Sequence, residues 1–74
     1  MTEQEIRNLF AYHSPNPKSV KVHEFIRESI TKTVLEVADK LPDSYERGAF
    51  IRKMQQAQMM AHASIAINGL PWDN

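Results

Sequence analysis

Residues 10–27, FAYHSPNPKSVKVHEFIR, contain the side chains with the clearest chemical potential. Tyr12 and His13 stand in a proline-bearing stretch, and Arg27 falls on the helix that we predict to follow it. An aromatic ring offers a face on which a nucleobase can stack, and a guanidinium is a hydrogen-bonding partner for phosphate. Three classes of protein therefore compete: one that sequesters a small ligand, an interaction module, and a small regulator of nucleic acid.

Each of these residues also has a structural interpretation. Tyr12 could pack across the helix corner, as a partly buried tyrosine often does. His13 is more often a hydrogen-bonding group of a loop than a ligand contact, and Pro15 fits a rigid turn. Arg27 lies between two glutamates and could be a solvated surface charge.

Catalysis has little support in this sequence. No nucleophile, base and orienting acid fall together, and the acidic residues Asp39, Asp43 and Glu46 are spaced as for helix capping. Ser44 and Arg47, near the start of a predicted helix, could receive a phosphate, although a cap and a surface charge explain them better. We therefore expect a protein that is not an enzyme.

Length and composition limit what the chain can be. Its 74 residues form one domain at most, and a chain this short buries only about 60% of its unfolded surface. Small scaffolds are usually stabilised by disulfides, metal or assembly. The chain has no cysteine, and its three histidines do not fall at metal-ligand spacing. We expect no metal and no other cofactor, and we predict a homo-oligomer.

Charge and hydropathy argue against two further classes of partner. Nine basic and nine acidic side chains cancel, whereas a protein that binds a nucleic-acid polymer normally carries a basic excess. No apolar run approaches the roughly 20 residues of a membrane span, and the first residues are unlike a signal peptide. We expect a soluble intracellular protein that binds neither a nucleic-acid polymer nor a membrane.

Helix signals predict an all-α fold, with a short N-terminal helix before a long antiparallel hairpin. Thr2 and Glu5 fit a capping box for a first helix over residues 3–11. The second helix begins within residues 17–19, where a proline and a serine provide start signals, and Pro42 ends it.

The third helix completes the predicted hairpin. Asp43 or Ser44 caps it, and the Asn-Gly-Leu-Pro sequence at residues 68–71 ends it, because the glycine can take a left-handed conformation. The short connection makes the two long helices antiparallel neighbours. We predict that residues 1–70 form a single helical-hairpin domain and that residues 71–74 form a short C-terminal tail without structure of its own.

Apolar spacing predicts an inner face for each long helix. In the second helix this face consists of Val22, Ile26, Ile30, Val34, Val37 and Leu41. In the third helix it consists of Ile51, Met54, Gln58, Ala61 and Ile65. The apolar residues that do not all fit one inner seam are Phe25, Leu35, Phe50, Met59, Met60 and Ile67. We expect the first helix and other subunits to cover them.

Four short motifs follow one another along the chain: FAYHSP, EFIR, LPDSYER and AHASIAIN. Their order and spacing over residues 5–68 resemble the phage anti-CBASS cyclic-oligonucleotide sponge family, whose members share a helical-hairpin domain. The resemblance places the family's stacking tyrosine at Tyr12 and its cationic helix residue at Arg27. His13 and Pro15 stand beside the tyrosine and complete the implied dinucleotide site.

The resemblance implies a protein that sequesters immune messengers without cleaving them. Members form homohexamers that bind cyclic di- and trinucleotides, such as cyclic GMP-AMP, in the cytoplasm of the infected bacterial host. Dinucleotides lie in pockets between paired subunits, and trinucleotides occupy separate sites, for which Ser44 and Arg47 are the candidates here. Ile67 stands where relatives often carry arginine.

Two other functions fit the residues. A helical-hairpin adaptor or inhibitor could dock on another protein through Phe50, Met59 and Met60. A helix-turn-helix regulator is the third alternative, although the long helices, the tight turn and the neutral charge count against it.

Overall fold

The computed structural model describes residues 1–10 and 17–73. Its helices are α1 (Glu3–Leu9), α2 (Val20–Ala38) and α3 (Tyr45–Asn68), with 3-10 turns at Pro17–Ser19 and Pro71–Asp73. α2 packs along α3, and α1 packs against α2. The described part of the chain contains no strand, so the predicted all-α hairpin is confirmed.

The predicted capping box begins α1. The Thr2 N–H donates to Glu5 Oε1 at 3.3 Å, and the Glu5 N–H donates to Thr2 Oγ1 at 3.1 Å. Hydrogen bonding to the Glu5 carboxyl from the Thr2 N–H and from the Thr2 hydroxyl lowers the pKa of that carboxyl. The helix ends at Leu9, whereas the prediction extended it to residue 11, which lies outside the described residues.

Hydrogen bonds at the hairpin turn fix the ends of α2 and α3. Ser44 is the N-cap of α3, and its Oγ accepts from the Arg47 N–H at 3.1 Å. Arg47 Nε in turn donates to the Ala38 carbonyl at 3.1 Å. α2 ends at Ala38, earlier than the predicted end at Pro42. Hydrogen bonds between residues three apart replace the α-helical ones after this point, and Arg47 donates to the carbonyl of the last helical residue.

The apolar core lies where α1 meets the hairpin. Its buried members are Ile6, Phe10, Val34, Ala38 and Ile51. The half-buried residues packed against them are Leu9, Ile30, Leu35, Phe50 and Met54. α1 and the residue that follows it, Phe10, therefore close one side of the hairpin and supply two of these five buried apolar side chains.

The inner face of α2 differs from the prediction. Its buried residues are His23, Thr31, Val34 and Ala38, so only Val34 of the predicted stripe is fully buried. Val22, Ile26 and Ile30 are half-buried, and Val37 and Leu41 are exposed. The helix is rotated by about one position because two polar side chains, His23 and Thr31, point inward.

The inner face of α3 agrees more closely with the prediction. Ile51 and Gln58 are buried as predicted, and Met54, Ala61 and Ile65 are half-buried. The prediction missed His62, which is buried one turn after Gln58.

The C-terminal stop of α3 is confirmed. Gly69 has a φ of 80°, and its N–H donates to the Ile65 carbonyl at 2.8 Å. Leu70 is buried. The prediction of a tail without structure was wrong, because a 3-10 turn follows at Pro71–Asp73, immediately after the anchored leucine.

The hairpin is elongated and leaves apolar side chains on its surface. It measures 43 × 18 × 16 Å with a radius of gyration of 13.5 Å, whereas a compact chain of this length would have about 11 Å. Leu35 and Phe50 pack against the core. The exposed large apolar residues on the two long helices include Phe25, Met59, Met60 and Ile67. No helix in the described ranges combines the length and apolar content needed to cross a membrane.

We expect Ile51→Ala to lower the free energy of unfolding by about 2–5 kcal/mol, because it removes a fully buried side chain and leaves a cavity. Urea unfolding followed by circular dichroism at one protein concentration measures this loss. Gln56→Ala is the control on the same helix, since Gln56 is exposed and belongs to no apolar surface, and its effect should stay within about 0.5 kcal/mol. Equal losses for the two variants would contradict the assignment of the core.

Candidate functional site

Most of the predicted dinucleotide site lies outside the described residues. Tyr12, His13 and Pro15 fall within residues 11–16, so the structure does not test whether they come together. Arg27 is described, on α2. The positions of Arg27 and of the residues on either side of the segment therefore provide the geometry of the candidate site.

Arg27 lines a groove of about 470 Å³ between α1 and α2. Its side chain is 31% exposed, and Nη2 lies 3.9 Å from Glu28 Oε1. The groove residues are Arg7, Arg27, Glu28, Thr31, Lys32, Leu35 and Glu36. Three cations face two carboxylates, and a buried threonine and a half-buried leucine add hydroxyl and apolar surface. This composition suits a small ligand that carries both phosphate and flat apolar groups.

Ser44 and Arg47, the candidates for a trinucleotide site, both have hydrogen bonds within the hairpin turn. Ser44 caps α3, and Arg47 donates to the Ala38 carbonyl. Arg47 also lines a second groove, beside Glu3, Glu36 and Asp39. Since carboxylates outnumber the cation there, the surroundings of Arg47 disfavour an anion in a single chain.

A chain of buried polar groups joins all three helices at the end of α1. Gln58 Nε2 donates to the Phe10 carbonyl at 2.8 Å and lies 3.1 Å from His62 Nε2. His62 Nδ1 shares a hydrogen bond with His23 Nδ1, and the two rings stack with centroids 4.7 Å apart. His23, Gln58 and His62 are 4%, 3% and 2% exposed. Gln55 Nε2 donates to the neighbouring Leu9 carbonyl at 3.2 Å.

The partners of each atom determine where the protons lie in this chain. The Phe10 carbonyl can only accept, so the atom facing it is the amide nitrogen of Gln58. That nitrogen also faces His62 Nε2, which must therefore accept and carry no proton. Neutral His62 then holds its proton on Nδ1 and donates it to Nδ1 of His23. Both imidazoles are neutral in this arrangement.

Burial and nearby charge favour the neutral form of His62. Burial lowers the pKa of its imidazole, and repulsion from His23, when that ring carries a proton, and from Arg27 lowers the pKa further. The hydrogen-bond geometry and the electrostatics thus require the same protonation state. Within the described part of the chain, no group of three or more His, Asp or Glu side chains could hold a metal ion.

Reasoning from the sequence did not find the histidine pair. It assigned Gln58 to an inner stripe and treated the histidines only as possible metal ligands. The available signal was the spacing of Gln58 and His62, which puts two polar residues one turn apart on an inner face. Their third partner, His23, is 39 residues away in sequence, so no local pattern could indicate it.

The sequence model of a protein family described as "Acb2/Tad1, hairpin domain" matches residues 1–66. The chain belongs to this family. These proteins are the anti-CBASS sponges that the four sequence motifs predicted, and they are binding proteins for cyclic oligonucleotides rather than enzymes. No curated protein and no solved structure matches the chain at a significant level.

We expect this family member to lose stability on acidification in the imidazole range. The unfolded chain binds a proton at His62 near the ordinary pKa of 6.5, whereas the folded chain binds it only at a lower pH. The stabilisation is therefore complete above 6.5 and is lost as the pH falls from there through the lowered pKa. Urea unfolding across this range measures the loss.

His62→Gln is the control, because glutamine does not titrate. Its free energy of unfolding should change less with pH than that of the unmodified chain. The same slope in both proteins would show that His62 does not cause the effect.

Proposed function

We propose that this protein binds cyclic di- and trinucleotide messengers of CBASS immunity in the cytoplasm of the infected bacterium and holds them uncleaved. The match of the sponge-family model to residues 1–66 is the observation that carries this proposal. By lowering the free messenger concentration, the protein would prevent activation of the effector that the messenger controls.

The symmetry of a cyclic dinucleotide explains how two copies of a small chain could enclose it. The ligand has two bases, two phosphates and an approximate two-fold axis. An isologous interface offers each side chain twice around its own two-fold axis. One Tyr12 and one Arg27 per chain would therefore supply two stacking faces and two phosphate partners, from a pocket between paired subunits.

The energies of these contacts indicate that other groups must also contribute. Stacking is worth about 1–3 kcal/mol per base, and a charged hydrogen bond about 1.5–3 kcal/mol. Two of each give about 5–12 kcal/mol before the cost of immobilising the ligand. Since nanomolar affinity needs about 12 kcal/mol net, we propose that His13, Pro15 and the Arg27 groove provide the remainder.

The groove around Arg27 supports a binding role for this cation. Arg7 and Lys32 line the same groove, so its three cations exceed its two carboxylates and the net positive charge favours an anionic ligand. The half-burial of Arg27 also reduces the screening of its charge by solvent.

Exposed apolar surface supports assembly of the proposed sponge. The described chain is elongated, and Phe25, Met59, Met60 and Ile67 are between 61% and 79% exposed. Apolar residues this exposed in a small protein are typical of an interface. We propose a homohexamer, the assembly implied by the family resemblance.

We expect isothermal titration calorimetry to detect binding of cyclic GMP-AMP and of a cyclic triadenylate. Mass spectrometry of the recovered ligand should show it chemically unchanged. Arg27→Ala should weaken dinucleotide binding more than about 100-fold, because each bound ligand loses two charged hydrogen bonds. Tyr12→Ala should also weaken dinucleotide binding, because each bound ligand loses the stacking partners of its two bases.

Arg52→Ala is the matched control for these substitutions. Arg52 is an exposed cation on α3 that does not line the Arg27 groove, so its removal should leave dinucleotide affinity unchanged. Equal affinities of all variants would place the pocket elsewhere, and absence of heat with every cyclic messenger would refute the proposed function.

We expect native mass spectrometry to give a mass of six times 8.5 kDa. Met60→Glu should shift the protein toward smaller species, because it would place a charge in an apolar contact. A monomeric mass for the unmodified chain at micromolar concentration would contradict assembly.

A helical-hairpin adaptor or inhibitor is the second candidate, and the exposure of Met59 and Met60 favours it. Phe50 packs against the core, so the proposed docking face reduces to the two methionines. Recovery of a stoichiometric protein partner, together with no affinity for cyclic nucleotides, would favour the adaptor. The trinucleotide site at Ser44 and Arg47 stays a prediction.

A further inference from the structure

We propose that Gln58, His62 and His23 are positioning residues for the ligand-binding segment, and that binding weakens when the histidine pair takes up a proton. The inference depends on the proposed function, because the contacts with the ligand come from Tyr12 and its neighbours. The three residues would act on affinity without touching the ligand.

Their point of action is the carbonyl of Phe10, the last described residue before residues 11–16. Gln58 Nε2 holds this carbonyl at 2.8 Å, and Gln55 holds the preceding carbonyl of Leu9. The Phe10 side chain is 1% exposed within the core. The peptide group that leads to Tyr12 therefore has its direction set by an amide on α3.

The other side of the segment is also attached to the scaffold. The 3-10 turn Pro17–Ser19 leads directly into α2, and Ser19 is 2% exposed. Tyr12 lies two residues from Phe10 but seven from Ser19. A change in the direction of the Phe10 carbonyl should thus affect the tyrosine more than a change at the other attachment.

One added proton breaks the chain of hydrogen bonds wherever it binds. In the neutral pair, the unprotonated nitrogens are Nε2 of His62 and Nδ1 of His23. A proton on His62 Nε2 would face the amino group of Gln58, so donor would meet donor. A proton on His23 Nδ1 would meet the proton on His62 Nδ1. If the His62 proton moved to Nε2 of its own ring, it would meet the amino group of Gln58 instead.

The amide of Gln58 cannot resolve this conflict by rotating. If its oxygen turned toward the protonated His62, the same oxygen would face the Phe10 carbonyl, and two acceptors would meet at 2.8 Å. Its actual Oε1 is buried without a hydrogen-bond partner among the described residues. The site is thus built around one orientation, in which a single nitrogen serves both Phe10 and His62.

Burial and nearby positive charge oppose protonation of His62. The charged residues of the packed elements are Glu3, Glu5 and Arg7 on α1, Lys18 on the 3-10 turn, and Lys21, Glu24, Arg27, Glu28, Lys32 and Glu36 on α2. On α3 no charged residue follows Lys53. The glutamates of α1 and α2 are exposed to solvent, and burial, together with the charge of Arg27, lowers the pKa of His62. The folded chain therefore favours the neutral form of His62.

The first test measures cyclic GMP-AMP affinity of the unmodified oligomer by calorimetry, from about pH 7.5 to the lowest pH at which circular dichroism shows a folded protein. The phosphodiesters and bases of the ligand keep their charge in this range. Loss of the Gln58 hydrogen bond should weaken binding about 2- to 12-fold on the acidic side. Protonation of His13 would act in the opposite direction, because it would attract the phosphates.

The second test separates positioning from folding. Gln58→Met keeps the volume of the side chain but removes the amide, so binding should be weak and independent of pH. Gln56→Met is the matched control on the exposed face of the same helix, and it should keep both the affinity and the pH dependence. Affinities are compared per folded molecule.

The outcomes distinguish this inference from the proposed function. No binding of any cyclic nucleotide at neutral pH refutes the proposed function itself. Binding that stays constant with pH while the protein remains folded overturns the positioning role. An unchanged pH dependence in Gln58→Met also overturns it.

Discussion

A helix of seven residues is too short to be stable alone, so α1 depends on its attachment to the hairpin. Ile6 and Phe10 supply the apolar part of that attachment. The polar part comes from Gln55 and Gln58, whose amides take the carbonyls of Leu9 and Phe10. The last carbonyls of a helix usually need partners from outside it. In this protein α3 provides them, and the direction of the following chain depends on a side chain from a distant part of the sequence.

This attachment has a free-energy cost. The buried oxygen of Gln58 lacks a partner within the described ranges, and such a group costs about 1–3 kcal/mol. Two histidines occupy interior positions where aliphatic side chains would avoid desolvation. In return, the hydrogen bonds among Gln58, His62 and His23 permit only one orientation of the amide and one placement of the protons. Apolar side chains at these positions could pack in several arrangements. The small core thus combines non-directional burial around Ile51 with directional bonding around His62.

The features that the sequence predicted correctly are local ones. The Thr2 capping box, the Ser44 cap and the Gly69 stop each depend on residues within four positions of one another. The family motifs are equally short. The predicted inner face of α2 is displaced by about one position from the observed one, because the inward-facing His23 was assigned to the polar side of the helix. Its burial depends on His62, which lies on another helix and could not be paired with it from the sequence. Whether Tyr12 and Arg27 share a pocket depends on residues outside the described ranges.

The hydrogen bond from Arg47 to the Ala38 carbonyl has a mechanical consequence for the hairpin. It joins α2 and α3 at the turn, and the histidine pair joins them again near the opposite end. The 15 residues from His23 to Ala38 span about 22 Å of helix. Sliding of one helix along the other by a single turn, about 5.4 Å, would break both junctions together. The two junctions therefore oppose any sliding of α2 along α3 and hold the register of the hairpin.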